Sequence, residues 1–510
     1  MAALAAPGWA SLFTFFLPSL SWLSFYPVFP LFIWVAFIAP LRWTVKQTNK
    51  RSAFYGGFWL GLAYGGLYCL WFFDLHPLTW LGFSEWESRL VTLAGWALLA
   101  LEHGVLFGLL WLTYKTLPTR GSRLCLFPLL WVGGFALLNS TPFALPWTLL
   151  EYTQVNLSIM RELSGWISGS GLTLLIVFHN VAWAECWPNQ TQAGKPSKKT
   201  DTAIFLKAFI IPVLLGLFSV LWHQIIPPEK HPWPLPLAIA QANLPIEVIR
   251  SSNIPAERIE AAYIAPVESK ALPVGTLLAY PEEGVVPGWV GQQFPQRNIF
   301  LARLLRLAHA KQIYISVGVS LLDELNNRHY NALALLPPSG QPQAIRFYRK
   351  RRLVPFGEYT PYNLGEHLSA LLKIWTIDYQ APFEAGQESP LLQAGHARIG
   401  GLVCFELIDA LPWYQGYAWQ YKAQGANLLV NASNLGWFHE NPLLEAQFLA
   451  IAQMRAAETR LPLVVASNTG VSALISPGGE IIRRSYPSKH GHSKQKQMQP
   501  QTQIIFYNGT

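Results

Sequence analysis

The sequence predicts a two-part protein, a bundle of membrane-spanning helices followed by an α/β layered domain. Three observations carry this expectation. The 510-residue chain is 51% hydrophobic and only 13% charged, a balance foreign to disordered chains and uncommon in soluble enzymes. Its charge is unevenly placed, with 13 Lys/Arg and 8 Asp/Glu in residues 1–227 against 24 and 20 in residues 228–510. Near Pro236 the apolar runs also change, from lengths that cross a bilayer to short segments closed by turn residues. Residues 1–227 therefore read as a membrane domain, 228–484 as a globular domain and 485–510 as a polar tail expected to be disordered. The formal charge of +9 is shared between the two parts, so neither part is the concentrated basic domain that a nucleic acid would need. Three of the four cysteines, Cys69, Cys125 and Cys186, lie in the apolar part, which leaves no disulfide framework.

No charged residue occurs between Ala2 and Leu41, and that length suffices for two spans broken at Pro18, Pro27 and Pro30. A cleaved signal peptide would need a basic residue ahead of a shorter apolar run. Further runs at 54–73, 90–113, 124–145, 163–183 and 204–222 bring the expected number of spans to seven. Their direction follows from the loops. Arg42, Lys46, Lys50 and Arg51, then Lys115, Arg120 and Arg123, then Lys195, Lys198 and Lys199 occupy every second loop, whereas Asp74, Glu85, Glu87, Glu151 and Glu162 mark the others. Basic loops stay cytoplasmic, so the amino terminus is expected inside and the domain after Trp222 outside. Glu102 and His103 fall within a span, where they either bond between helices or line a proton path.

Beyond Pro236, strands are expected at 237–240, 276–279, 313–319, 332–336, 344–347, 399–403, 428–430 and 463–466, with helices at 298–310 and 443–460. Strand and helix alternate, the pattern of an α/β layered domain. In the tail, His490 and His492 could bind metal, but a solvated tail accounts for them as well, and the chain calls for no metal or cofactor.

Reactive groups in open α/β sheets collect beyond the carboxyl ends of strands. Three fit: Glu282 after 276–279, Lys350 after 344–347, and Cys404 after 399–403. Singly they read as a turn carboxylate, one charge of a basic run and a small core residue. Together they supply a thiol nucleophile, a carboxylate to take its proton and a cation to stabilise an oxyanion, the requirements of acyl transfer through a thioester.

The order Glu, Lys, Cys, the segment Lys350 to Tyr359 (Lys-Arg-Arg-Leu-Val-Pro-Phe-Gly-Glu-Tyr) and the Cys404-Phe405-Glu406 triplet resemble the nitrilase superfamily. Behind a multispan amino-terminal half, they resemble the apolipoprotein N-acyltransferase family in particular. Supporting matches are Gln241 to Pro245, Ser433-Asn434 with Trp437-Phe438, Met454-Arg455-Ala456 with Glu458, Ser467 to Gly470, and the Gly-rich span from Gly56 to Gly66. The resemblance implies a nitrilase-like α/β/β/α sandwich on the periplasmic face of a bacterial inner membrane. It implies transfer of an acyl chain from a phospholipid, phosphatidylethanolamine by expectation, to the amine of a diacylglyceryl-cysteine in an apolipoprotein. Glu282 is then the base, Lys350 the oxyanion stabiliser, Cys404 the nucleophile and Glu358 the residue that positions the lysine. Glu406 matches a family glutamate and reads equally as a structural hydrogen-bond acceptor. The apolar stretch 364–375 is either a lid at the membrane surface or an internal amphipathic helix. This chain departs from the family pattern at Phe405, Arg250 and Gln447-Phe448, and the further span expected after the catalytic domain does not occur before Thr510. Competing expectations are a membrane-tethered amidase that hydrolyses its thioester with water, and a non-catalytic protein that binds lipid or a partner.

Overall fold

The computed structural model describes residues 30–141, 146–186, 233–249, 256–282, 284–359, 383–409, 416–485 and 502–507, with a few isolated positions between them. The chain forms two compact units. The first gathers residues from 1–73 and 90–228, and the second 74–89 with most of the chain from 229 onward.

In the first unit, α1 (Ile33–Ala36) and α2 (Ile38–Lys46) are separated at Phe37. Pro40 explains the break, since its ring opposes the carbonyl of Ala36 and it lacks an N–H. Asn180 repairs the interruption by accepting from Phe37 N at 2.9 Å and donating to Ile33 O at 3.0 Å, as a break among apolar helices requires. Next come α3 (Lys50–Tyr68), α4 (Glu85–Thr116), α5 (Arg120–Asn139) and α6 (Ser158–Cys186). Gly57, Gly61 and Gly65 of α3 face Phe107, Trp111 and His103 of α4 so closely that a methyl group on any of them would collide. The close approach is the role of small residues at four-residue spacing. Helix α6 is interrupted at Ser168 (φ 64°, ψ 172°).

Three described helices, α4, α5 and α6, are long and apolar enough to cross a membrane, so the chain is an integral membrane protein. The seven-helix expectation is thus confirmed only for these. Helix α3 has 19 residues but is diluted by Gly, Tyr and an opening Lys-Arg pair. The run 204–222 and most of 2–41 lie outside the described residues. His103 Nε2 meets Thr148 Oγ1 at 2.7 Å and its Nδ1 meets Leu99 O at 2.8 Å, the structural alternative for that residue.

The second unit is built on two sheets. The first has the order β13-β1-β2-β4-β5-β6, with β3 also beside β4. Its members are β1 (Leu237–Gln241), β2 (Leu277–Ala279), β3 (Trp289–Gly291), β4 (Tyr314–Asp323), β5 (Arg328–Leu336), β6 (Arg346–Arg349) and β13 (Gln503–Tyr507). The second has the order β12-β11-β10-β9-β8-β7, from β7 (Leu391–Ala394), β8 (Ala397–Val403), β9 (Leu428–Ser433), β10 (Leu463–Ser467), β11 (Ala473–Ile475) and β12 (Ile481–Arg484). Each sheet has a parallel centre, β1-β2-β4 in one and β8-β9-β10 in the other, bordered by antiparallel strands. The sheets pack face to face: a methyl on Gly401 of β8 would meet Leu333 of β5 at 3.1 Å and Tyr348 of β6 at 3.4 Å. Helix α7 (Ile299–Lys311) buries Leu301, Leu304, Leu305 and Ala308 on the first sheet, and α9 (Pro442–Thr459) covers the second together with the shorter α8 (Tyr417–Ala423). Asn298 and Asn441 cap α7 and α9 by accepting from two backbone N–H groups each.

All eight expected strands are present, with ends shifted by a few residues, as are both helices. The tail departs from expectation in one place. Gln503–Tyr507 pairs antiparallel with β1, Leu237 opposite Tyr507 and Gln241 opposite Gln503. The run Ile504-Ile505-Phe506-Tyr507 is β-prone and finds the open edge of β1, whereas composition averaged over the tail conceals it.

Candidate active site

Three strand ends deliver the reactive groups. Beyond β2 the chain stays stitched to β4 through Tyr280 N to Ser316 O (2.8 Å) and Gly318 N to Pro281 O (3.0 Å), and this fixes Glu282. The backbone of Glu282 lies so close to Gly318 that a Cβ there would collide with it. Beyond β6, Lys350 is held by its own N–H to Asn331 O and by Gly386 N to Lys350 O, both 2.8 Å. Beyond β8, Cys404 has φ 47° and opens a 3₁₀ turn, Cys404–Ile408. A left-handed conformation is costly for a residue with a Cβ and persists where the surroundings enforce it. Such a turn presents the sulfur at the end of the strand rather than along the sheet.

The three elements converge. Lys350 Nζ lies 3.3 Å from Glu282 Oε1 and 2.9 Å from Glu358 Oε1. Asn331 Nδ2 donates to the same two oxygens at 2.7 and 2.5 Å, and Glu358 Oε2 accepts from Val354 N at 2.7 Å. Lys350 is 1% and Glu282 8% exposed, so these charges exist only because they neutralise one another. Burial works against the Lys350 ammonium, but the Glu282 and Glu358 carboxylates outweigh it and hold the lysine above its ordinary value. The Cys404 thiol is pushed well up by burial and then by the Glu282 charge, against the opposing pull of Lys350 and a hydrogen bond from the Asn434 backbone N–H. The resting sulfur is therefore protonated. One ammonium between two carboxylates leaves an excess of negative charge beside the thiol, an arrangement that can accept a proton.

Glu406 stands on the other side of the nucleophile turn. Its Oε1 accepts from Tyr348 OH (2.7 Å), Arg351 N (2.7 Å) and Arg352 N (3.2 Å), and its Oε2 accepts from Val403 N (2.9 Å). This is the geometry of a brace between the turn that carries Cys404 and the loop that carries Lys350. Phe405 lies under the Arg352 guanidinium, 5.5 Å from its ring centroid, and Arg352 pairs with Asp409. The matched motifs at 241–245 and 467–470 meet here too. Asn243 N donates to Asn468 O at 3.0 Å, and Gln241 Nε2 to Gly470 O at 2.9 Å.

All five residues expected from the sequence lie at this site, with Lys350 in contact with both Glu282 and Glu358. Arg250, the stretch 364–375 and the pair His490 and His492 lie outside the described residues. Sequence reasoning missed Asn331, which joins both carboxylates, and it gave Asn434 only as part of a matched motif, without the role of its amide against the thiol. The available signal for Asn331 was a lone polar side chain inside the otherwise apolar second half of β5, since buried polar groups need partners. Among the described residues no group of three His, Cys, Asp or Glu side chains is arranged to hold a metal ion.

Residues 265–491 match the carbon-nitrogen hydrolase family, and residues 19–182 match the apolipoprotein N-acyltransferase N-terminal domain. The apolipoprotein N-acyltransferase of Gloeobacter violaceus is 28% identical over 456 residues, covering 88% of this chain and 81% of that one. That of Geobacter metallireducens is 28% identical over 468 residues with the same two coverages. That of Nostoc sp. is 28% identical over 473 residues, covering 88% and 85%. With both domains matched in this order and relatives aligned across both, the chain is similar to apolipoprotein N-acyltransferases along most of its length.

Proposed function

We propose that this chain transfers an acyl chain from a phospholipid to the amine of a diacylglyceryl-cysteine at the start of an apolipoprotein, through a thioacyl enzyme on Cys404. Similarity to that family over both halves of the chain supports the overall reaction. The buried Glu282–Lys350–Glu358 cluster beside a protonated thiol supports the route. As the sulfur attacks the ester carbonyl, Glu282 takes the thiol proton and the Lys350 ammonium stabilises the oxyanion. Collapse breaks the carbon–oxygen bond, the glycerol oxygen takes the proton from Glu282, and a lysophospholipid leaves. The amine then attacks the thioester and gives a proton to Glu282. The carbon–sulfur bond breaks, the thiolate recovers that proton, and the amide is released. Glu358 and Asn331 hold the lysine, and Glu406 holds the nucleophile turn. The donor is phosphatidylethanolamine, and the domain works on the periplasmic face of the inner membrane, as the alternation of basic and acidic loops supports.

The test is the intact mass of detergent-purified protein incubated with phosphatidylethanolamine, followed by a diacylglyceryl-cysteine peptide. Wild type gains one acyl mass and loses it to the peptide, and Cys404→Ala gains none. An adduct that discharges to free fatty acid while peptide is present would favour the amidase. Absence of any adduct on folded wild type would refute the thioacyl route.

A further inference from the structure

The turn after β9 is strained without glycine. His439 has φ 46° and Glu440 φ 57°, a pair of left-handed residues that the surroundings must enforce. What enforces them comes from far away in sequence. Asp74, in the segment 74–89 that belongs to the second unit, accepts from His439 Nδ1 through its backbone oxygen at 2.6 Å and from Asn441 Nδ2 through Oδ2 at 2.5 Å. The other ring nitrogen of His439 lies 3.3 Å from Glu247 Oε1. With an acceptor at each nitrogen, the ring serves both as an imidazolium. Trp80 packs edge-on against Trp437, with ring centroids 4.8 Å apart. The clasped turn runs straight back to the reacting atoms: Gly436 N donates to Asn434 Oδ1 at 3.0 Å, and the backbone N–H of Asn434 meets the Cys404 thiol.

We propose that Asp74, Trp80 and the turn 437–441 form a clasp that positions the nucleophile, fixing the Asn434 amide against the Cys404 sulfur. Asp74, Trp80 and His439 are positioning residues, and the inference rests on Cys404 being the reactive thiol. The proposal deepens that reading by giving a segment from the amino-terminal half a part in the chemistry.

The test follows alkylation of Cys404 by iodoacetamide against pH in the full-length protein in nanodiscs, located by peptide mapping. Losing the amide bond removes a stabiliser of the thiolate while Glu282, Lys350 and Glu358 still face the sulfur. The midpoint in Asp74→Ala and His439→Leu then rises by about one pH unit. The acyl-transfer kcat falls about tenfold with KM nearly unchanged. Asp74→Asn and His439→Gln, which keep an acceptor or a donor, restore most of both. Trp80→Ala, with no polar group changed, guards against a variant that fails to fold. Folded variants with the wild-type alkylation profile would overturn the clasp, even if transfer were slower. Wild type that alkylates at Cys404 but never acylates would instead count against the acyl-transfer route.

Discussion

Two ion clusters, a half-buried one in the first unit and a buried one in the second, differ in the balance of their charges. In the first unit, Arg123 Nε and Nη2 grip Glu185 at 2.7 and 3.0 Å, and Tyr114 OH donates to the same carboxylate at 2.7 Å. One guanidinium grips the one carboxylate, a neutral donor completes the acceptor and Arg120 adds a second cation nearby, so no negative charge is left over. In the second unit, Lys350 is shared by Glu282 and Glu358, with Asn331 bonded to both. That cluster carries an unbalanced carboxylate next to a thiol. Both clusters are held by several hydrogen bonds, and only the second carries an excess of negative charge, the feature that the proposed base would use.

The largest test of this contrast is Lys350→Met. It removes the cation and leaves two carboxylates facing each other, and thioacylation should fall by about 10²–10³-fold while the protein still folds by circular dichroism. Retention of the wild-type rate would deny the lysine its electrostatic role. Asn331→Ala is next. It keeps every charge but frees both carboxylates, so kcat should fall by about 10–10²-fold with little change in melting temperature. A change confined to stability would make Asn331 merely structural. Arg123→Met probes the balanced cluster and should act the opposite way. Stranding Glu185 should cost about 3 kcal/mol, read from thermal unfolding in detergent, while transfer per folded molecule stays unaltered. Adding Glu185→Met should recover much of the loss, and if it does not, the two residues are not a matched pair.

The smallest effect concerns His439 and Glu247, which lie nearer the surface. The hydrogen bond to Glu247 raises the His439 value above that of free histidine, and the same bond lowers Glu247 below free glutamate. The histidine contribution is complete below the unfolded-state value of about 6.5 and fades as pH rises through the folded value. The glutamate contribution is complete above about 4.3 and fades as pH falls through its own folded value. The protection factors of amides across 436–441, corrected for intrinsic exchange, should therefore be highest between these limits and fall at pH 8, and protection independent of pH would disprove the pairing.

Much of this was legible in the sequence, for identifiable reasons. The middles of β4, β5 and β8 are apolar segments bounded by turn residues, and Glu282, Lys350 and Cys404 each follow a segment read as a strand, so the strands and the placing of these three residues at strand ends could be read locally. The strands that escaped, β3, β7, β11, β12 and β13, are three to five residues long and owe their state to a neighbour's open edge. Asn331 and the role of Asn434 escaped because an asparagine acquires its role only from what faces it across a sheet. The break at Phe37 was only partly legible. The sequence expectation places its breaks at Pro18, Pro27 and Pro30 and passes over Pro40, the local signal, and the repair by Asn180 involves a side chain 143 positions away.

Gly318 performs no step of the reaction and touches the site only through its missing side chain. Because its hydrogen is all that separates β4 from the main chain of Glu282, one added methyl would act as a wedge, displacing Glu282 from its contacts with Lys350 and Asn331 while every side chain of the site kept its identity. The reach of the carboxylate is thus set by an empty volume. A survey of inactive variants that inspects only chemical groups would find nothing wrong with such a protein, and a redesign of its specificity has one position that cannot be used as a free variable.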